Sequence, residues 1–196
     1  VVSFCSSSPR LDCERLRVAL NGMCSADIRI QAVTPVADDF NARFSATERM
    51  YHYYILNSPL ADPLRGDIEW HISEPLDVDA MSRAARLFLG EHDFTSFCRR
   101  PKGQLEQPLV RNIHSSRWVP QTQQRIQFEI AANAFCHQMV RSLTGFCVAV
   151  GLGKLEPEAF EAVIEAKSRA AAPPIAPPHG LTLKHVTYGE PSEQDQ

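Results

Sequence analysis

Arg43-Phe44-Ser45-Ala46-Thr47-Glu48-Arg49-Met50-Tyr51-His52-Tyr53-Tyr54-Ile55-Leu56-Asn57 places two cations just ahead of a run of tyrosines. Tyr51, Tyr53 and Ile55 alternate with His52, Tyr54 and Leu56, and this period of two predicts a strand. Arg43 and Arg49 precede the first tyrosine. A cation beside an aromatic face can hold an unstacked base next to a phosphate. The same residues also read as core tyrosines behind a solvated arginine edge. The pattern alone leaves both readings open.

A second suspicious cation lies in Ala132-Asn133-Ala134-Phe135-Cys136-His137-Gln138-Met139-Val140-Arg141-Ser142-Leu143-Thr144-Gly145. Met139, Leu143, Phe146, Val148 and Val150 populate most of a helical circumference, so a largely buried helix is predicted from Phe135 to about Val150. Burying an unpaired charge is prohibitive. Arg141 must therefore face a carboxylate, a phosphate or a cleft. Gly145 is expected to let this helix pack closely on the sheet.

Arg99-Arg100-Pro101-Lys102-Gly103 is the densest basic cluster. A phosphate-backbone contact and a solvated loop account for it equally well. The six cysteines form no Cys-x-x-Cys pair, which argues against zinc and for reduced thiols in a cytosol. Cys136 and His137 are neighbours, and neighbours point about 100° apart on a helix, so adjacency does not make them a catalytic pair. His92-Asp93 lacks further ligands at metal spacing, so His92 reads as structural.

These residues need elements to position them. Strands are predicted at Val1–Phe4, Asp27–Val36, the tyrosine run and Ile68–Ile72. Pro108–Val119 and Gln124–Ala131 form a hairpin, and Gly180–Tyr188 closes the series. Helices are predicted over Leu11–Met23, from Asp77 to Leu89 with Asp77 as N-cap, and from Glu156 to Arg169. Phe94 and Phe97 anchor the loop after the second helix. Asp38-Asp39 reads as a turn or helix cap. Ala170–Pro178 holds four prolines and is a stiff, extended connector. This order suggests an α+β fold with a largely antiparallel sheet and helices on one face.

Across 196 residues, 44% hydrophobic and 22% charged content indicates a soluble globular chain. No apolar run is long enough for a membrane span, and no secretory signal is visible. A first residue other than Met, in a strand already under way, suggests a processed or truncated N-terminus. The net charge of −3 does not announce a nucleic-acid binder, but such sites need local basic surface and not a basic total. No fixed-period repeat, dinucleotide-binding glycine pattern or Walker A loop appears.

Four stretches together resemble the bacterial tRNA pseudouridine synthase A family. The Arg-Phe-Ser-Ala-Thr run followed by Arg49-Met50-Tyr51-His52-Tyr53 resembles its second motif. Leu89-Gly90-Glu91-His92-Asp93-Phe94-Thr95-Ser96-Phe97 resembles its Leu-x-Gly-x-His-Asp-Phe-x-x-Phe segment. The stretch from Asn133 to Gly145 resembles its Asn-Ala-Phe-x-x-x-Met-Val-Arg-x-x-x-Gly motif. Gly180-Leu181-Thr182-Leu183 resembles its final strand. The resemblance covers nearly the whole chain.

It implies two similar α/β halves sharing a largely antiparallel sheet, with the first half incomplete here. Residues 1–40 would be the C-terminal part of the catalytic half, 41–188 the second half with its RNA-binding and active-site motifs, and 189–196 a disordered tail. It implies a cytoplasmic homodimer that binds tRNA and uses no cofactor and no metal. The reaction would convert uridine to pseudouridine in the anticodon stem-loop, at about positions 38–40, on a base drawn out of its stack. Tyr51 would position that base and Leu181 would close the pocket. Arg141 would hold a nucleophilic aspartate ionised, since a nearby cation lowers a carboxylate pKa. Arg43, Arg49, Arg99, Arg100 and Lys102 would contact phosphates.

One family motif is missing. The catalytic aspartate belongs to an Arg-Thr-Asp-Ala-Gly-Val-His segment, and no Arg-Thr-Asp occurs in these 196 residues. The expected place for it is upstream of Val1, so the chain alone is expected to be inactive. Asp38, Asp39 and Asp93 are not assigned that role. The rival readings are a non-catalytic tRNA-binding fragment or paralogue and, as a foil, a thiol hydrolase using Cys98 or Cys136.

Overall fold

The computed structural model describes residues 1–8, 10–99, 108–122 and 124–189. The chain divides into two units, Val1–Ala46 and Thr47–Gln196.

The first unit carries one helix, α1 (Cys13–Met23), capped where Asp12 accepts a hydrogen bond from the Arg15 N–H. The strands expected at Val1–Phe4 and Asp27–Val36 do not form. A strand needs a backbone partner, and the 27–36 segment is instead held by a side chain. Asn21 donates to the Ile30 carbonyl at 2.9 Å and accepts from the Ile30 N–H at 2.9 Å. Asp38 and Asp39 lie in a turn closed by the Phe40 N–H donating to the Ala37 carbonyl.

The second unit is built on a six-stranded mixed sheet with α-helices, so the α+β class holds. Its strands are β1 (Ala46–Asn57), β2 (Trp70–Ile72), β3 (Gly90–Asp93), β4 (Val110–Pro120), β5 (Arg125–Ala132) and β6 (Leu181–Tyr188). The order is β2-β1-β5-β4-β3, with β6 also paired to β1. Only the β1–β2 pairing among the registered ladders is parallel. The tyrosine strand thus pairs with three others, β2, β5 and β6. One edge takes β5 in register Tyr51↔Ile130 and Tyr53↔Phe128, and β6 and β2 also pair with β1.

The helices are α2 (Val78–Leu87), α3 (Met139–Gly151) and α4 (Ala159–Glu165). The predicted Asp77 cap is present, accepting from the Ala80 N–H at 2.8 Å. The α3 helix starts four residues later than its apolar pattern suggests, because Gln138 adopts a left-handed φ of 67°. The α4 helix is shorter than predicted and is followed by Lys167 at φ 44°, another left-handed residue that cannot continue a helix.

Tyr53, Ile55, Phe128 and Ile130 of the sheet pack with Met81, Ala84 and Phe88 of α2 and Leu143 and Phe146 of α3 in one core. Phe94 and Phe97 are fully buried in it, as their spacing anticipated. Glu69 is buried beneath Arg125, which bonds it and Asp62 at 2.9 and 2.6 Å. This network pins the irregular chain ahead of β2.

Candidate active site

The site is assembled from the middle of β1, the turn and first helical turn of α3, and the proline-rich connector that leads into β6. Tyr51 points its ring at Phe135, edge to face, with centroids 5.2 Å apart and planes at 88°. That geometry suits two aromatic quadrupoles. Burial raises the Tyr51 phenol pKa, and the nearby Arg49 charge only partly opposes it. Tyr51 is therefore a neutral aromatic surface at physiological pH and not a proton acceptor.

Phe135 is held in place by an over-determined turn. Asn133 accepts from the Asn112 N–H at 3.1 Å and the Ala134 N–H at 2.8 Å, and its carbonyl accepts from Arg49 Nη1 at 2.7 Å. Arg49 thus braces the turn that carries Phe135. Cys98 and Cys136 are joined as a disulfide with Cα atoms 5.8 Å apart. Two cysteines far apart in sequence meet where the 94–97 turn reaches the entry of α3. The Arg99 N–H donates to the His137 carbonyl beside them. A thiol hydrolase has no support here. Cys98 and Cys136 are consumed by each other, and burial pushes the Cys147 thiol up to about 12.

Arg141 is half-buried on a largely buried helix. Its Nε donates to the Ala176 carbonyl at 2.7 Å, and its own carbonyl accepts from the Ala176 N–H at 3.1 Å. Helix and connector are therefore clasped at this residue. Among the described residues, no other hydrogen bond is made by the Arg141 side chain, which leaves its two terminal nitrogens available to a carboxylate. The connector can approach because position 145 is glycine. A Cβ there would lie 2.2 Å from the Pro174 carbonyl oxygen. Gly145 thus admits the connector, and not the sheet as expected from the sequence.

Leu181 opens β6, with its N–H donating to the Pro178 carbonyl. Gly180 sets its approach to β1, since its carbonyl accepts from the Tyr54 N–H at 2.9 Å. Tyr51, Arg141 and Leu181 are thus carried by elements that contact one another directly. Arg43 lies in the first unit, with its guanidinium carbon 5.4 Å from the Phe44 ring centroid. Asn41 shapes that turn by accepting from the Arg43 and Phe44 N–H groups. Arg99 is exposed. Arg100 and Lys102 lie outside the described residues.

Asp93 has a structural task. It accepts from the Thr95 N–H and hydroxyl and from the Leu109 N–H, and Lys167 stands 3.6 Å away. Burial alone would raise its pKa, but these bonds and the Lys167 charge together lower it. A carboxyl with a folded pKa below its unfolded value contributes stability at higher pH. That contribution is present above the ordinary carboxylate pKa and is lost as pH falls through the depressed value. Asp93→Asn should flatten the acid limb of a stability–pH curve measured by urea unfolding. An unchanged limb would refute this role.

His92 sits between Phe94 and Phe160 at 5.7 and 5.5 Å and contacts the Leu89 carbonyl. Among the described residues, no three His, Cys, Asp or Glu side chains gather as a metal site, and no helix is long and apolar enough to cross a membrane.

Residue types, spacing and the motif resemblance pointed to Tyr51, Arg141 and Leu181 but not to Phe135, Asn133 and Ala176. Phe135 and Asn133 stood within a quoted motif without an assigned role. Ala176 carries no side-chain signal, because it acts through its backbone.

An aromatic pair, a half-buried arginine clasped to a carbonyl and a leucine at a strand start are thus brought to neighbouring elements of one α+β frame. A tRNA pseudouridine synthase family model matches residues 84–189. The tRNA pseudouridine synthase A of Moorella thermoacetica is 39% identical over 188 residues, covering 96% of this chain and 75% of that protein. Those of Streptomyces griseus and Nitrosomonas europaea are 41% and 40% identical, covering 89% and 86% of this chain and 61% of each relative. The chain belongs to the tRNA pseudouridine synthase family. It spans 61–75% of the length of these relatives.

Proposed function

We propose that this chain is the substrate-reading part of an enzyme that isomerises uridine to pseudouridine in the tRNA anticodon stem-loop, at about positions 38–40, where extruding the base costs a few kcal/mol. The observation that carries the reading is the clasp of Arg141 onto Ala176 beside the Tyr51–Phe135 pair. The target base is positioned by Tyr51, and Leu181 closes over it. Arg141 holds a nucleophilic aspartate ionised and oriented. The aspartate drives cleavage of the N-glycosidic bond, and the base rejoins the sugar through C5. That aspartate is proposed to lie outside these 196 residues, since the Arg-Thr-Asp motif is absent from them. Arg43, Arg49, Arg99, Arg100 and Lys102 serve tRNA phosphates. The working enzyme is a cytoplasmic homodimer that needs no cofactor.

The test is to map pseudouridine in unmodified tRNA after incubation with the 196-residue chain, and with the same chain extended at its N-terminus through an Arg-Thr-Asp segment. Only the extended form should make the modified base, while both retain tRNA. Activity of the 196-residue chain would place the nucleophile inside it. Inactivity of both forms, with tRNA still bound, would make the chain a non-catalytic tRNA binder.

A further inference from the structure

Tyr53 stands two residues beyond Tyr51 on the same face of β1 and is fully buried. A phenylalanine would fill the same volume, so packing does not require its hydroxyl. That hydroxyl donates to the Pro177 carbonyl at 2.7 Å. Burial raises the phenol's pKa, opposed only in part by the Arg141 charge, so the group stays a donor.

The acceptor lies in a segment with unusual needs. Pro173, Pro174, Pro177 and Pro178 offer no N–H, so the connector joins no ladder through those positions. It is held by its carbonyls: Pro173 by Arg169, Ala176 by Arg141, and Pro177 by Tyr53. Ala176 and Pro177 are adjacent, so the Tyr53 and Arg141 tethers act on neighbouring peptide units. Beyond them, Gly180 rests on the Tyr53 ring. A Cβ at Gly180 would lie 2.8 Å from ring carbons Cε1 and Cζ and 2.9 Å from the Tyr54 carbonyl oxygen. The next residue is Leu181. One tyrosine thus touches both the segment that orients Arg141 and the one that presents Leu181.

We propose that Tyr53 is a positioning residue of the active site: its hydroxyl, through Pro177 and Ala176, fixes the Arg141 guanidinium, and its ring, through Gly180, fixes Leu181. This rests on the pseudouridine-forming function proposed above. Misplacing a catalytic group by about 1 Å can cost up to about 100-fold in rate, so loss of one tether is expected to cost about 10-fold.

The test uses the N-terminally extended chain proposed above and unmodified tRNA, with Tyr53→Phe, Gly180→Ala and the parent compared. Tyr53→Phe should lower kcat about 10-fold with KM changed by less than about twofold. It should also speed amide exchange at Ala176, whose N–H bonds Arg141. In an Arg141→Lys background the Tyr53→Phe loss should shrink to within about twofold, because both residues act through one group. Gly180→Ala should lower kcat with the Tyr53 hydroxyl intact. A kcat within twofold of the parent for Tyr53→Phe overturns the proposal, as does a full 10-fold loss in the Arg141→Lys background. If the parent itself forms no pseudouridine, the functional reading falls by itself. Exchange at Ala176 then judges the tether, and an unchanged rate overturns it.

Discussion

On the proposed function, Arg141→Ala in the N-terminally extended chain is expected to lower the rate of pseudouridine formation by about 10²–10³-fold, the range seen when one preorganised charge-stabilising donor is removed from an active site. Its tRNA affinity should change little. The reasoning begins with burial. The α3 helix is buried at most of its positions, and Arg141 is the one residue of it with formal charge. A guanidinium there is tolerated because its Nε is satisfied by the Ala176 carbonyl at 2.7 Å. That bond also fixes the plane in which the terminal nitrogens project. A carboxylate brought to them is held ionised, since opposite charge within a few ångströms lowers its pKa. Arg141→Lys keeps the charge but loses the fork geometry, so it should recover only part of the rate. Single-turnover conversion and filter binding of tRNA separate the two effects. A rate within threefold of the parent, or a loss of binding equal to the loss of rate, would refute the role.

Gly145→Ala is expected to destabilise the protein by about 1–3 kcal/mol, the usual cost of overpacking a well-filled interior. Two effects oppose each other. Alanine in a helix interior is favoured over glycine by about 1 kcal/mol. Against this, the added Cβ would lie 2.2 Å from the Pro174 carbonyl oxygen and 3.3 Å from the Ala176 nitrogen. Both atoms are backbone, so no side chain can rotate away and the connector itself must move. The steric term wins. Because the displaced segment carries the Ala176 carbonyl, activity should fall further than the loss of stability explains. Urea unfolding gives the stability change, with an unchanged m-value showing that the two-state transition survives. A midpoint at or above that of the parent would show that the helix and connector have room to spare.

Much of the scaffold was legible because short-range physics wrote it. The alternation in the tyrosine run gave β1, the clean alternation of Ile126, Phe128 and Ile130 gave β5, and Asp77 gave the start of α2. Where local patterns failed, a long-range term was responsible. Asp27–Val36 alternates well, yet a strand exists only where a partner strand supplies hydrogen bonds, and an asparagine side chain holds it instead. The apolar stripe of α3 extended back to Phe135, yet a left-handed Gln138 starts the helix late. The Cys98–Cys136 pairing could not be seen from spacing, since it depends on where two turns 38 residues apart meet.

The sequence by itself determined that Arg141 needs a partner, that Tyr51 lies on a strand near cations, and that the order of elements is α+β. Those are consequences of residue chemistry and periodicity, which act over a few residues. Only the tertiary structure decided what Arg141 grips, what Tyr51 faces and why residue 145 is glycine. The answers are a carbonyl of Ala176, the ring of Phe135 and the backbone of Pro174. Two of the three are main-chain groups, which every residue carries, so no side-chain pattern can announce them.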